Sequence, residues 1–176
     1  MYKLRDIILE QSTNPKALIL AGAPGAGKSS FIEGLKDLNV SLDLKNADAE
    51  DRSKAAKAMA AANKEFRPMT REIILGKKNF ILDGTSASSG PTLKLKKELE
   101  DLGYDILMVY VFASLEKALD RNDSRFDRSD GKDRSLAPAI VLRTWNNITQ
   151  NYDLYKDEFG DNFVSVVNDK SLEKGE

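Results

Sequence analysis

The sequence contains no cysteine and no histidine. Without cysteine the chain has no disulfide bond and no thiol nucleophile, and without either residue it has no Cys/His zinc site. The lack of histidine also excludes a Ser–His–Asp triad and any imidazole base. Catalysis by this chain would therefore depend on carboxylates, lysine and arginine, hydroxyls, backbone amides or a metal ion held by oxygen atoms.

Long apolar runs and a strong charge imbalance are also missing. No stretch approaches the ~18 apolar residues of a membrane-spanning helix. The charges of Lys3, Arg5, Asp6 and Glu10 leave no apolar signal-peptide segment at the start. The 27 basic and 28 acidic side chains give a net charge of −1, which argues against general nucleic-acid binding. We therefore expect a cytoplasmic protein with no membrane partner, and a monomer by default.

Apolar runs typical of buried strands alternate with helical patterns along the 176 residues. This alternation predicts right-handed βαβ units and a parallel sheet with helices on both faces, which is a three-layer α/β fold. Because the chain has no repeat and no long linker, we expect a single domain over 1–176. The predicted strands are 17–21, 40–44, 79–83, 106–112 and 163–167. The predicted helices are 29–38, 51–75 with a break near Pro68, 92–102, 115–125 and 138–159.

The segment after the first predicted strand reads GAPGAGKS, from residue 22 to residue 29. It matches the phosphate-loop motif G-x-x-x-x-G-K-[S/T] in full, between a strand and a helix. The glycines let backbone N–H groups turn toward phosphate oxygens, and the helix N-terminus adds its dipole. Lys28 would bind the β- and γ-phosphates, and the Ser29 hydroxyl would bind a Mg²⁺ ion. The motif predicts a nucleotide site rather than a glycine-rich turn that binds nothing. The candidate nucleotide-binding residues are Gly22, Ala23, Pro24, Gly25, Ala26, Gly27, Lys28, Ser29 and Ser30.

Asp83 ends the third predicted strand and is a candidate second residue for the metal ion. If this strand neighbours the first one, the carboxylate faces the phosphate loop and can hold Mg²⁺ directly or through water. Ligands of α/β folds bind at this edge of the sheet, which favours the metal role. The alternative is an ordinary turn aspartate.

The segment after the second predicted strand reads NADAEDR, residues 46–52, and holds the candidate catalytic base. Phosphoryl transfer to an alcohol benefits from a carboxylate that accepts the hydroxyl proton. Asp48 is the candidate, with Asp51 in reserve. An acid-rich helix N-terminus that favours the helix dipole explains the same residues equally well.

The stretch RNDSRFDRSDGKDR, residues 121–134, is rich in arginine. Arg121, Arg125 and Arg128 have i, i+4, i+7 spacing and so share one helix face. We interpret about 121–136 as a short helical lid whose guanidinium groups close on the γ-phosphate. A solvated helix end with paired charges is the alternative for any single arginine here.

Five apolar residues in the last predicted helix recur at intervals of four and three. This spacing traces one helix face, so we expect the face to pack on the sheet rather than to carry chemistry. The residues are Val141, Trp145, Ile148, Tyr152 and Tyr155.

Together these segments resemble the zeta-toxin and polynucleotide-kinase-like branch of the P-loop kinases. The resemblance is carried by KALILAGAPGAGKSS, NADAEDR, NFILDGTSAS, LDRNDSRFDR and GKDRSLAP, and it extends over about residues 15–168. It implies a five-stranded parallel sheet of order 2-3-1-4-5 and the use of ATP and Mg²⁺. It also implies that Asp48 is the base and that Arg121, Arg125 and Arg134 act on the γ-phosphate.

The expected activity is transfer of the γ-phosphoryl group of ATP to a hydroxyl. Members of that branch phosphorylate small molecules, nucleotide-sugars or nucleic-acid ends, so a nucleotide or nucleotide-sugar is an expected partner. The alternative is a P-loop ATPase or nucleotide-dependent switch that acts on a protein partner without a phosphoacceptor. A nucleotide-binding accessory protein without turnover is the third possibility.

Overall fold

Four parallel strands form one sheet in the computed structural model, which describes residues 14–36, 70–128 and 136–169. The strands are β1 (Lys16–Ala21), β2 (Phe80–Asp83), β3 (Asp105–Phe112) and β4 (Phe163–Val167). They lie in the order β2-β1-β3-β4. This is the predicted order without the strand predicted at 40–44, which falls outside the described residues. The predicted parallel α/β fold is thus confirmed.

Helices connect these strands along the described chain. In chain order they are α1 (Lys28–Lys36), α2 (Ser89–Asp101), α3 (Leu115–Arg128), α4 (Pro138–Gln150) and α5 (Tyr152–Phe159). Residues 70–75 are also helical, and a 3-10 turn at Gly160–Asn162 leads into β4. None of the helices in the described ranges combines the length and the apolar character that crossing a membrane requires.

The two central strands, β1 and β3, are buried on both faces because successive side chains enter two separate clusters. Ile19 of β1 belongs to the same cluster as Leu99 of α2 and Tyr155 of α5. Leu20 points to the other face, where it joins Ile32 of α1. Burial on both sides explains the continuous apolar runs of these strands and gives the three layers that the sequence predicts.

The helix predicted over 138–159 is two helices, α4 and α5, separated by Asn151. Asparagine is a weak helix former because its side chain competes for backbone groups. Here Nδ2 of Asn151 donates to the carbonyl oxygen of Ala87 (3.1 Å). The apolar stripe nevertheless faces the core as predicted. Val141, Ile148 and Tyr155 are buried, while Trp145 and Tyr152 pack on the core at partial exposure.

The importance of the core under α2 is tested by shortening Leu99, which has no exposed surface. Leu99→Ala should lower the free energy of unfolding by about 2–5 kcal/mol, because the lost contacts leave a cavity that the neighbours only partly fill. Leu75→Ala is the control, since Leu75 is 63% exposed. Denaturant unfolding of both variants measures the difference. Equal losses would contradict the described packing.

Candidate nucleotide-binding site

The phosphate loop lies between the end of β1 and the start of α1, where its glycines adopt conformations that other residues avoid. Gly25 has φ +81° and Gly27 has φ +96°. A Cβ atom on Gly25 would overlap the carbonyl oxygen of Ala118 in α3, and one on Gly27 would overlap the side-chain amide of Asn168. Both positions therefore require glycine for conformation, as the motif predicts, and Gly25 requires it for space as well, since the overlapping atom belongs to backbone.

Lys28 begins α1 and turns its side chain back over the loop. Its ammonium group donates to the carbonyl oxygens of Gly22 (2.8 Å) and Ala23 (3.1 Å). Ser29 and Ser30 follow in the first turn of α1, and both are exposed. The positive charge, two hydroxyls and the first N–H groups of a helix thus lie at one loop, an arrangement suited to phosphate.

Asp83 lies at the same edge of the sheet. It is the last residue of β2, it is exposed, and it pairs in register with Leu20 of β1. β2 is therefore the neighbour of β1, as the prediction of Asp83 as a metal residue required. Next to it, the N–H group of Gly22 donates to the carbonyl oxygen of Thr85 (3.1 Å), which joins the loop after β2 to the phosphate loop.

The side-chain oxygen atoms at this edge are suitable ligands for a Mg²⁺ ion that binds together with a nucleotide. Within the described ranges, no group of three or more acidic side chains could hold a metal ion by itself. Protein-bound Mg²⁺ often has only one or two carboxylates and takes its other ligands from phosphates and water. The Asp83 carboxylate and the Ser29 hydroxyl fit that pattern.

α3 supplies one of the predicted lid arginines to the loop. Nη1 of Arg121 donates to the carbonyl oxygen of Gly25 (3.4 Å). Arg125 and Arg128 follow in α3, which continues past the predicted end at 125. The catalytic candidates Asp48, Asp51 and Arg134 lie outside the described residues.

Asn122 joins the two ends of the predicted lid segment through hydrogen bonds to Leu136. No pattern in the sequence indicated this role. Asn122 is a buried polar residue, 4% exposed. Its Nδ2 donates to the carbonyl oxygen of Leu136 (2.9 Å), and its Oδ1 accepts from the N–H group of Leu136 (3.0 Å). Both backbone groups of a residue 14 positions away are thus satisfied, which joins α3 to the chain just before α4.

Two polar residues that follow β4, one of which contacts the phosphate loop, were also missed. Nδ2 of Asn168 donates to the carbonyl oxygen of Ala26 in the phosphate loop (3.0 Å). Oδ1 of Asp169 accepts from the N–H group of Ser114 just before α3 (2.6 Å). The signal that selected Asp83, a polar residue at the carboxyl end of a strand, would also have found Asn168.

The chain is similar to known proteins over nearly its whole length. Residues 3–173 match the profile of the Zeta toxin family. A solved structure from the PezAT chromosomal toxin–antitoxin system of the human pathogen Streptococcus pneumoniae is 15% identical, covering 91% of this chain and 71% of that one, with a TM-score of 0.68.

A protein of Chloroflexus aurantiacus, described as a kinase, is 13% identical, covers 93% of each chain and has a TM-score of 0.56. No curated protein sequence is significantly similar. Likeness to solved structures at these identities shows a shared fold.

The glycine requirement of the phosphate loop gives a direct test. Gly25→Ala should weaken nucleotide binding by about 10-fold or more, because a left-handed alanine costs about 1–2 kcal/mol before any clash with Ala118 is counted. Gly34→Ala in α1 is the matched control, since its Cβ would meet nothing within 4 Å. Titration with a fluorescent ATP analogue compares the two variants. Equal affinities would refute the described loop geometry.

Proposed function

The chain belongs to the Zeta toxin family, and we propose that it is an ATP-dependent kinase. It transfers the γ-phosphoryl group of ATP to a hydroxyl of a small molecule, a nucleotide-sugar or a nucleic-acid end. Family membership supports the broader statement, a P-loop kinase-like enzyme that uses ATP. The observation that carries the proposal is the convergence of two cationic side chains, Lys28 and Arg121, on the carbonyl oxygens of one phosphate loop.

The phosphate loop and its neighbours bind the triphosphate of ATP in this proposal. Backbone amides of the loop and of the first turn of α1 bind phosphate oxygens. Lys28 holds the β- and γ-phosphates, and Arg121 approaches the γ-phosphate from α3. Arg125 and Arg134 complete the lid, which excludes water so that the phosphoryl group reaches the acceptor rather than a water molecule.

Ser29 and Asp83 hold the metal ion in this proposal. Mg²⁺, when bound, would neutralise charge on the β- and γ-phosphate oxygens. The Asp83 carboxylate at the end of β2 would hold the ion directly or through water, and the Ser29 hydroxyl in the first turn of α1 would supply a second oxygen ligand. Both residues are exposed at the edge where strands β1 and β2 end.

Asp48 accepts the proton of the substrate hydroxyl. As that oxygen bonds to the γ-phosphorus, the bond from the γ-phosphorus to the β,γ-bridging oxygen breaks and ADP leaves. The chain has no histidine, so a carboxylate is the side chain suited to this role at neutral pH. The family resemblance supports Asp48 over Asp51.

A second function is favoured by the likeness to a protein of a toxin–antitoxin system. In this alternative the chain is a nucleotide-dependent switch or ATPase that acts on a protein partner and has no phosphoacceptor. The same phosphate loop would serve, and the lid would respond to the partner rather than to a small substrate.

Labelled ATP separates these functions. We expect the purified protein to consume ATP only when a suitable acceptor is added, and to transfer the label to that acceptor. A panel of nucleotides, UDP-sugars and oligonucleotide ends provides candidates, and Lys28→Ala is the inactive control. Phosphate release that is the same with and without acceptor would favour the ATPase, and binding without turnover would leave an accessory role.

The base assignment is tested by Asp48→Ala, with Asp51→Ala as the matched control. The Asp48 variant should lose about 10²–10⁴-fold in turnover and keep ATP binding nearly intact, because general-base catalysis contributes that much to rate and little to nucleotide affinity. The Asp51 variant should retain most of the rate. Steady-state kinetics with the acceptor found above, together with ATP titration, measure both effects. Full activity of Asp48→Ala would overturn the assignment.

A further inference from the structure

Residues 84–88, hereafter the β2–α2 loop, are held by two side chains from outside the phosphate-binding elements. Oη of Tyr155 in α5 donates to the carbonyl oxygen of Ser86 (2.6 Å). Nδ2 of Asn151, just before α5, donates to the carbonyl oxygen of Ala87 (3.1 Å). Two consecutive carbonyl groups of the loop are therefore bound by residues more than 60 positions away in sequence.

The β2–α2 loop is also hydrogen-bonded to the elements of the nucleotide site. The carbonyl oxygen of Thr85 accepts from the N–H group of Gly22, the first glycine of the phosphate loop. Oγ of Ser86 donates to the carbonyl oxygen of Leu20 in β1 (3.4 Å). Asp83, the candidate metal residue, immediately precedes the loop. A displacement of this loop would therefore change both the metal carboxylate and the start of the phosphate loop.

The conformation of the loop needs such support. Ser86 has φ +50°, in the left-handed region that residues with a Cβ rarely adopt. Such a conformation persists where surrounding contacts determine it. Tyr155 has no exposed surface. Burial raises the pKa of its hydroxyl, and a hydrogen bond with the Thr92 side chain lowers that pKa by a smaller amount. The hydroxyl thus stays protonated and available to donate to the Ser86 carbonyl.

We propose that Tyr155 and Asn151 are positioning residues for the Mg²⁺–nucleotide site and act through the β2–α2 loop. This inference rests on the proposed function, because it takes Asp83 as a metal residue. A comparison within the core supports a specific role for Tyr155. Tyr110 is equally buried, but its hydroxyl donates to the carbonyl oxygen of Ile148 in α4 and not to a loop of the site.

Tyr155→Phe and Asn151→Leu remove one side-chain donor each at similar volume and without adding charge, and Tyr110→Phe is the matched control. The readout is binding of a fluorescent ATP analogue, titrated with Mg²⁺ and repeated without metal. Each positioning variant should raise the Mg²⁺ concentration at half-maximal binding by about 5-fold, as expected for one lost hydrogen bond. Metal-free affinity should fall by a smaller factor than the Mg²⁺ midpoint rises, because the β2–α2 loop bonds to the phosphate loop at Gly22, its first residue, whereas Lys28 and the first turn of α1 lie at its other end. Tyr110→Phe should leave both values unchanged.

Hydrogen exchange at the Gly22 amide gives a second readout that needs no turnover. The exchange rate should rise in Tyr155→Phe, because this amide donates to Thr85 in the loop, and should stay at the wild-type value in Tyr110→Phe. Thermal unfolding identifies a temperature at which all variants are folded, so that a general loss of structure does not imitate the expected shift.

The outcomes distinguish this inference from the proposed function. Mg²⁺ midpoints within twofold of wild type in both variants would overturn the positioning role, as would an equal shift in Tyr110→Phe. Nucleotide binding that does not depend on Mg²⁺ in the wild type would overturn the metal assignment and this inference with it. If the wild type labels no acceptor but the midpoints shift as expected, the kinase proposal fails and the positioning role stands.

Discussion

The parallel pairing of β1 between β2 and β3 is the constraint on which the candidate site depends. Parallel strands have their carboxyl ends at one edge, so the phosphate loop after β1, Asp83 at the end of β2 and Asn168 after β4 meet there. β1 and β3 can occupy the centre because both of their faces are apolar and covered. The polar residues of the site lie at the strand ends, and their positions depend on the burial of the apolar strands that carry them.

The sequence predicted the parts of this arrangement that depend on local pattern. Apolar runs located the strands, since burial on both faces imposes continuous hydrophobicity, and the strand at 163–167 was predicted to the residue. The phosphate loop was predicted equally well, because backbone conformation requires glycine at Gly25 and Gly27 and the close approach of backbone requires it at Gly25. The position of Asp83 beside β1 followed from topology, which is confirmed.

The remaining contacts of the site depend on side chains that meet only after folding. Asn168 reaches Ala26 across 142 residues, and Tyr155 reaches Ser86 across 69. Tyr155 was assigned correctly to the core from its spacing. Periodicity predicts which helix face is buried, but it does not predict the hydrogen-bond partner of a tyrosine hydroxyl. The break at Asn151 was missed for the same reason, since its amide bonds to Ala87 rather than to a sequence neighbour.

These tertiary contacts determine which way the phosphate loop presents its amides. Lys28, Arg121 and Asn168 each donate to backbone carbonyl groups of the loop, and the accepting oxygens belong to Gly22, Ala23, Gly25 and Ala26. In a trans peptide the C=O and the following N–H point in opposite directions. The Gly22 carbonyl is held toward Lys28 and the Ala26 carbonyl toward Asn168, so the N–H groups of Ala23 and Gly27 point away from these two side chains. A loop fixed in this way needs little reorganisation when an anion arrives, which makes its dipoles effective in binding charge.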